Sequence, residues 1–268
     1  MVSPERRDAS VRAQTALLRL TPKMVITPGR IAYLGLLGSP TVRCFGAISI
    51  YVSLGRPFAL TLDGETRFSL CEIVGTDTPH QISSADRLMI SILIEAETLE
   101  SEFQIKDKRL LLDRITRGFA GDHESIRDCK DFDERFFGQT LPRRALDRRI
   151  ARVARHICAF PAERHSASLY AEQAGLSISR FTHLFREQMG TTLRRFCAWK
   201  RARGVMAMVK DRESLVDTAL SAGFADSTHF SHAIRQFFGL RPKDIIAGSR
   251  MLTVVHYQPF VDSPHVNL

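Results

Sequence analysis

Apolar and polar positions alternate along the first third of the chain. The runs RIAYLGLLG (30–38), FGAISIYVSLG (45–55), FALTLDGE (58–65), RFSLCEIVG (67–75) and RLMISILIE (87–95) are short, rich in β-branched residues and broken by Gly, Pro and Asp. The period of two predicts at least five short strands, and Asp63-Gly64 between two of them predicts a hairpin. Strands at this spacing fit a small sandwich or barrel of antiparallel pairs. From 97 to 119 the period becomes helical, with Leu99, Phe103, Ile105, Leu110, Leu111 and Ile115 on a stripe, Leu112 and Phe119 extending it, and charges between. Such a stripe must be covered, by the chain's own sheet or by a second subunit. Residues 120–143 are polar, with Gly121, Gly138 and Pro142, and read as a domain boundary. Residues 145–160 predict a helix with Leu146, Ile150, Val153, Ala154 and Ile157 on one face and Arg148, Arg149, Arg152 and Arg155 around the other.

The pattern from 166 to 246 is a repeat. One copy reads YAEQAGLSISRFTHLFREQMG (170–190) and the second TALSAGFADSTHFSHAIRQFFG (218–239). Ala171, Ala174 and Gly175 match Ala219, Ala222 and Gly223. Two helices that cross closely need a small residue at the crossing, which Ala171 and Ala219 supply. The sharp turn between them needs positive φ, which Gly adopts without steric cost. Ser177, and Asp226 or Ser227, then cap a second helix by accepting backbone N–H bonds. Small residue, glycine turn, cap and amphipathic helix together spell a helix-turn-helix, written twice. Between the copies, 192–210 predicts a helix carrying Phe196, Trp199, Val205, Met206 and Val209. At ~1.5 Å per residue it spans roughly 27–29 Å, enough to present two reading helices to major grooves about 34 Å apart. After Ile246 the pattern allows a short strand and a tail, to which no function is assigned.

Charge sharpens this picture. Of the net +9, residues 144–250 hold 19 Lys and Arg against 9 Asp and Glu, whereas residues 1–143 hold 19 of each. A basic segment beside a neutral one is the footprint of polyanion binding, although a solvated basic face gives the same count. No apolar run reaches the ~18–20 residues of a membrane span, and the amino terminus lacks the apolar core of a signal peptide. The five cysteines contain no CxxC pair, so neither a zinc site nor a disulfide framework is expected, and a reducing cytoplasm fits.

Residues 166–246 resemble the DNA-binding domain of the AraC/XylS family of bacterial transcription regulators. The resemblance rests on A-x-x-A-G-L-S at 171–177, F-x-x-L-F at 181–185, Gly190-Thr191, A-G-F at 222–224, Phe230-Ser231 and G-L-R-P at 239–242. Ile234 stands where the family usually has Phe, and Ile245-Ile246 replaces the usual Tyr-Arg. The implied fold is α+β and two-domain: a small cupin-like β-barrel or sandwich with helices, then an all-α domain whose two helix-turn-helix motifs are joined by a long helix. The expected organisation is an arm (1–24), a sensing and dimerisation domain (25–120), a linker (121–143), the DNA-binding domain (144–250) and a tail (251–268). Regulators of this kind often pair through the helix after the sheet, which favours a second subunit as the cover of the 97–119 stripe.

The resemblance implies double-stranded promoter DNA as partner, in the cytoplasm at the nucleoid. RNA polymerase, an unidentified small-molecule effector and a second copy of the chain are further candidates. Carried over by position and by helical facing, the expected readers are Ser179, Arg180, Thr182, His183 and Arg186 in the first unit. In the second they are Ser227, Thr228, His229, His232 and Arg235. Small Ser and Thr readers favour A·T-rich sites, and Arg and Lys pairing with phosphate makes binding salt-sensitive. No catalytic residue, cofactor or metal is assigned. The alternative is a cupin-type metal enzyme with a helical appendage. The stretch EIVGTDTPHQI (72–82) resembles the approach to a cupin Pro-His turn, but a divalent metal needs three or more converging ligands. His80 is therefore read as a turn or packing residue.

Overall fold

The computed structural model describes residues 22–35, 40–85, 88–100, 107–121, 123, 125–208, 215–249 and 253–256. Strands β1 (Lys23–Thr27), β2 (Arg30–Leu34), β3 (Ala47–Ser53), β4 (Phe58–Leu62), β5 (Glu65–Ser69), β6 (Cys71–Val74), β7 (His80–Ser83) and β8 (Met89–Glu95) come first. Helices α1 (Lys108–Ala120), α2 (Cys129–Phe137), α3 (Arg148–Ala159), α4 (Ala167–Gln173), α5 (Ile178–Met189), α6 (Leu193–Met208), α7 (Leu215–Ser221), α8 (Ser227–Phe238) and α9 (Pro242–Ser249) follow, and β9 (Thr253–His256) closes the described chain. A six-stranded sheet has the order β6-β3-β8-β2-β1-β9, and a three-stranded sheet the order β5-β4-β7. The expected hairpin joins β4 to β5, with Asp63 (φ 50°) and Gly64 (φ 83°) both left-handed at its tip, as a tight two-residue turn requires.

The large sheet is the middle layer. Alternation sends Met24, Ile26, Ile31 and Leu93 to one face and Val25, Ala32, Ile92 and Ile94 to the other, and both faces are buried. Strands buried on both sides read as nearly continuous apolar runs, which is why 87–95 looks as it does. On one face lie α1 and α2, through Leu111, Ile115, Phe119, Phe132, Phe136 and Phe137. On the opposite face lie the small sheet, α6 and the second helix-turn-helix.

Three expectations change here. The helix after the sheet starts at Lys108, capped by Asp107, which accepts from Arg109 and Leu110 N–H. Its stripe of Leu111, Ile115 and Phe119 is covered by the chain's own sheet and α2, not by a second subunit; Phe103 and Ile105 lie outside the described residues. Residues 121–143 are not a plain linker, because α2 lies within them. Phe132 and Phe136, one turn apart, face the sheet. Asp133 of α2 forms a bidentate pair with buried Arg30, at 2.8 and 3.1 Å. The strand after Ile246 is present as β9 and extends the large sheet, parallel to β1; the other described strand pairs are antiparallel.

Helix α6 ties the two halves together. The described helix runs from Leu193 to Met208, within the expected 192–210, and 209–214 lie outside the described residues. Trp199 is fully buried against Gly46, where a Cβ would meet the indole at 2.4 Å. Its Nε1 donates to Glu95 Oε2 at 2.9 Å. Lys200 bonds Glu95 and Glu97, and Arg203 lies 2.7 Å from Glu95 Oε1. Burial pushes the Glu95 carboxyl up, but Lys200 and then Arg203 outweigh it and hold the group below the usual carboxylate range.

Candidate nucleic-acid interface

Each helix-turn-helix forms as its residues require. Ala171 and Ala219 are both 1 % exposed, small enough for their helices to approach the next. Gly175 (φ 64°) and Gly223 (φ 77°) make the left-handed turns. Ser177 Oγ accepts from Arg180 N–H at 3.2 Å and caps α5. Asp226 Oδ1 accepts from Thr228 and His229 N–H, both at 2.8 Å, and caps α8. The His229 N–H is the chief cause holding the Asp226 carboxyl below its ordinary range. Both helices end at a left-handed glycine, Gly190 (φ 70°) and Gly239 (φ 66°).

The apolar faces turn inward: Phe181, Phe185 and Met189 in α5, Phe230, Ile234, Phe237 and Phe238 in α8. The structure places all ten sequence-predicted residues on the opposite, exposed faces. These are Ser179, Arg180, Thr182, His183 and Arg186 on α5, and Ser227, Thr228, His229, His232 and Arg235 on α8. Their polar groups are not equally free. The Thr182 hydroxyl donates to the helix backbone, 2.9 Å from Ile178 O and 3.0 Å from Ser179 O, so it has its methyl and an acceptor oxygen left to offer. His229 Nδ1 lies 3.0 Å from Asp226 Oδ2, which orients the ring and leaves Nε2 outward. His183 Nδ1 stands 3.8 Å from Glu187.

Beside α5 an open groove of about 680 Å³ runs to the start of α6, lined by Ser179, His183, Arg186, Thr192, Arg194 and Arg201 among others. Thr192 Oγ1 accepts from Arg195 N–H and caps α6, so the start of that helix borders the groove beside Arg194, and a helix N-terminus next to arginine suits phosphate. Arg194 escaped the sequence reading, which stopped at each second helix. Its signal was present: the repeat continues past the glycine, so that Arg194 lies four residues after Gly190 and Lys243 four after Gly239. Both are exposed in the first turn of the next helix.

A second feature lies between the halves. An apolar cavity of about 70 Å³ is walled by Ile31 and Leu93 of the sheet, Val205 of α6, and Phe238, Leu240 and Ile245 of the second unit. That is several times the ~10–15 Å³ a single water needs. Arg43 lines it too, 6 % exposed, stacked over Phe45 at 5.6 Å, with no hydrogen-bond partner at Nε. Among the described residues no carboxylate forms an ion pair with it. Burial lowers its pKa, and Tyr51 opposes that shift. His80 is nearby but spoken for: Nδ1 donates to Thr78 O at 2.8 Å and Nε2 accepts from Tyr51 at 2.6 Å. Burial lowers its pKa to about 4, so the ring is neutral. Both of its ring nitrogens are engaged within the protein.

Residues 170–247 match a family described as a helix-turn-helix domain. No curated protein matches the chain by sequence. Among solved structures, an apo single-residue variant of ToxT from Vibrio cholerae strain SCE256 superposes with a TM-score of 0.57 at 10% identity, covering 84% of this chain and 98% of that one. ToxT from Vibrio cholerae O395 bound to (E)-4-(8-methylnaphthalen-1-yl)but-3-enoic acid gives 0.55 at 9%, covering 82% and 99%. Unsaturated fatty acid bound wild-type ToxT from strain SCE256 gives 0.51 at 11%, covering 81% and 95%. At these identities the likeness is one of fold. The matched model shows that residues 170–247 form a helix-turn-helix domain, and the solved structures show that the chain shares the two-part fold of ToxT.

Proposed function

We propose that this chain is a transcription regulator of the AraC family that reads promoter DNA with α5 and α8 in successive major grooves, and that an apolar carboxylic acid seated between its halves modulates the reading. The observation that carries the first part is the repeat in three dimensions: two capped helices with open polar faces, each followed by a basic residue at the start of the next helix. Base preference comes from Ser179, Arg180, Thr182, His183 and Arg186, and from Ser227, Thr228, His229, His232 and Arg235. Arg194 and Lys243 hold phosphates. Selection from random duplexes, followed by gel shift across a salt series, tests this. The expected site is bipartite, with half-sites about 10 base pairs apart, and affinity falls as salt rises. Folded protein that selects no sequence and shows no salt-sensitive binding overturns it.

The second part rests on Arg43. A buried guanidinium without a counter-charge is costly, and a carboxylate entering the cavity supplies one while its chain meets Ile31, Leu93 and Val205. ToxT, which shares the fold, has been solved with an unsaturated fatty acid and with a naphthalenyl butenoic acid, both of this chemical class. Equilibrium dialysis with oleate tests the site: binding that Arg43→Gln weakens at least tenfold supports it, and binding unaffected by R43Q removes it.

A further inference from the structure

We propose that the cavity's occupant is reported to DNA through the second helix-turn-helix, with the first left unaffected; this rests on the reading of the cavity as an effector site. The two units are alike in sequence and unlike in support. The first has a core of its own, in which Ile150, Val153 and Ile157 of α3 meet Tyr170, Phe181 and Phe185, and no described strand residue takes part. The second has none. Ala219, Phe230, Ile234 and Phe237 belong to one cluster with Met24, Ile31 and Leu93 of the sheet and with Phe45 just before β3.

The wiring is short. Thr41 N–H donates to Gly239 O at 2.8 Å, and Thr41 Oγ1 donates to the same oxygen at 3.1 Å. Cys44 N–H donates to Phe237 O at 3.3 Å. The segment that bears Arg43 is therefore bonded on both sides to the carboxyl end of α8. Gly239 allows the approach, since a Cβ there would stand 2.5 Å from Thr41 O. The cavity wall itself includes Phe238, Leu240 and Ile245, which flank the C-cap of α8 and begin α9, and includes no described residue of α4 or α5. The sheet half meets the first unit through polar contacts of residues outside the cavity wall: Asp77, whose N–H bonds Phe45 O, with Thr191 and Arg195, and Leu99 O with Arg144, whose Nη1 donates to Gln188 O. Among the described residues, two links are shared by both units. One is Arg195, which bonds Cys44 at Sγ (2.7 Å) and O (3.5 Å) and lies over the Phe237 ring but is fixed by Asp77. The other is α6, whose first turns join the core of the first unit and whose later turns join the other. A ligand that moves or braces the Arg43 segment changes the free energy of α8's position and, by linkage, its half of the DNA contact.

Hydrogen exchange followed by mass spectrometry on the full chain, with and without oleate below its micellar concentration, tests the proposal. Fluorescence of Trp199, the single tryptophan, reports binding in the same samples. The expected result is at least fivefold slower exchange in α8 and in 40–46, with α4 and α5 changed less than twofold. R43Q abolishes the α8 response and leaves α5 as it was. If oleate binds and α5 responds as strongly as α8, or neither responds, this proposal fails while the effector site stands. If oleate does not bind, the effector reading fails and takes this proposal with it.

Discussion

The exposed residues of α5 and α8 divide by the chemistry they can still offer. Thr182 has committed its hydroxyl hydrogen to the helix backbone, so under the proposed reading it offers a methyl group, which suits thymine, and an acceptor oxygen. His229, oriented by Asp226, presents one nitrogen outward. Replacing His229 by Ala should relax base preference at one position, at ~1–3 kcal/mol for the best base, as measured by competition between duplexes. Arg194→Ala should instead weaken all sequences alike and lower the slope of log affinity against log salt by ~0.9. A change in base preference for Arg194→Ala would assign that residue a reading role. Away from the DNA face, His80 links stability to pH. Its folded pKa of about 4 lies below its ordinary 6.5, so the unfolded chain binds the extra proton. Stability is then full above pH 6.5 and falls as pH drops from 6.5 to 4, by up to about 3 kcal/mol for this group. Urea midpoints of the wild type and His80→Gln across that window should converge as pH falls.

At the scale of elements, α6 is held by charge that has nowhere else to go. Glu95 is 1 % exposed and answers Trp199, Lys200 and Arg203 together. Glu95→Gln leaves the two cations short of a counter-charge in a dry site and should destabilise the chain by about 3–5 kcal/mol. Denaturation followed by Trp199 fluorescence measures this, and a loss under about 1 kcal/mol would mean that the cluster is better hydrated than its burial indicates. Nothing in the local sequence pointed to this cluster, because Glu95 and Lys200 are joined only by the tertiary fold. The helix-turn-helix pair was legible for the opposite reason: crossing alanine, turn glycine and capping residue act within a few positions of one another. So was the strand region, through its period of two. Helix α2 was not read, although Phe132, Phe136 and Phe137 carry helical spacing. It is short, set among Asp128, Asp131, Glu134 and Arg135, and its anchoring partner Arg30 lies far back in the chain. The stripe of α1 was legible as a stripe, but periodicity states that a face is apolar and does not name what covers it.

The whole molecule is divided differently from its sequence. Composition separates a neutral first half from a basic second half, yet the cores cross that line: sheet, α6 and second helix-turn-helix share one, while the first helix-turn-helix keeps another. Cooperative units follow shared burial, since surface exposed by opening one part destabilises whatever it covered. Phe237 of α8 is 1 % exposed within the shared core, and Phe181 of α5 is fully buried within the separate one. Truncating either to Ala should cost ~3–5 kcal/mol, but in different places. Phe237→Ala should speed the slow exchange of backbone amides in β2 and β8, far away in sequence, and Ile31→Ala should do the same. Phe181→Ala should speed exchange in α3, α4 and α5 and leave β2 and β8 within a factor of about three of wild type. Native-state hydrogen exchange of the three variants decides it. If Phe237→Ala loosens α8 while β2 and β8 exchange at the wild-type rate, the two halves fold as separate bodies, and α8 would no longer be coupled to the sheet by its core.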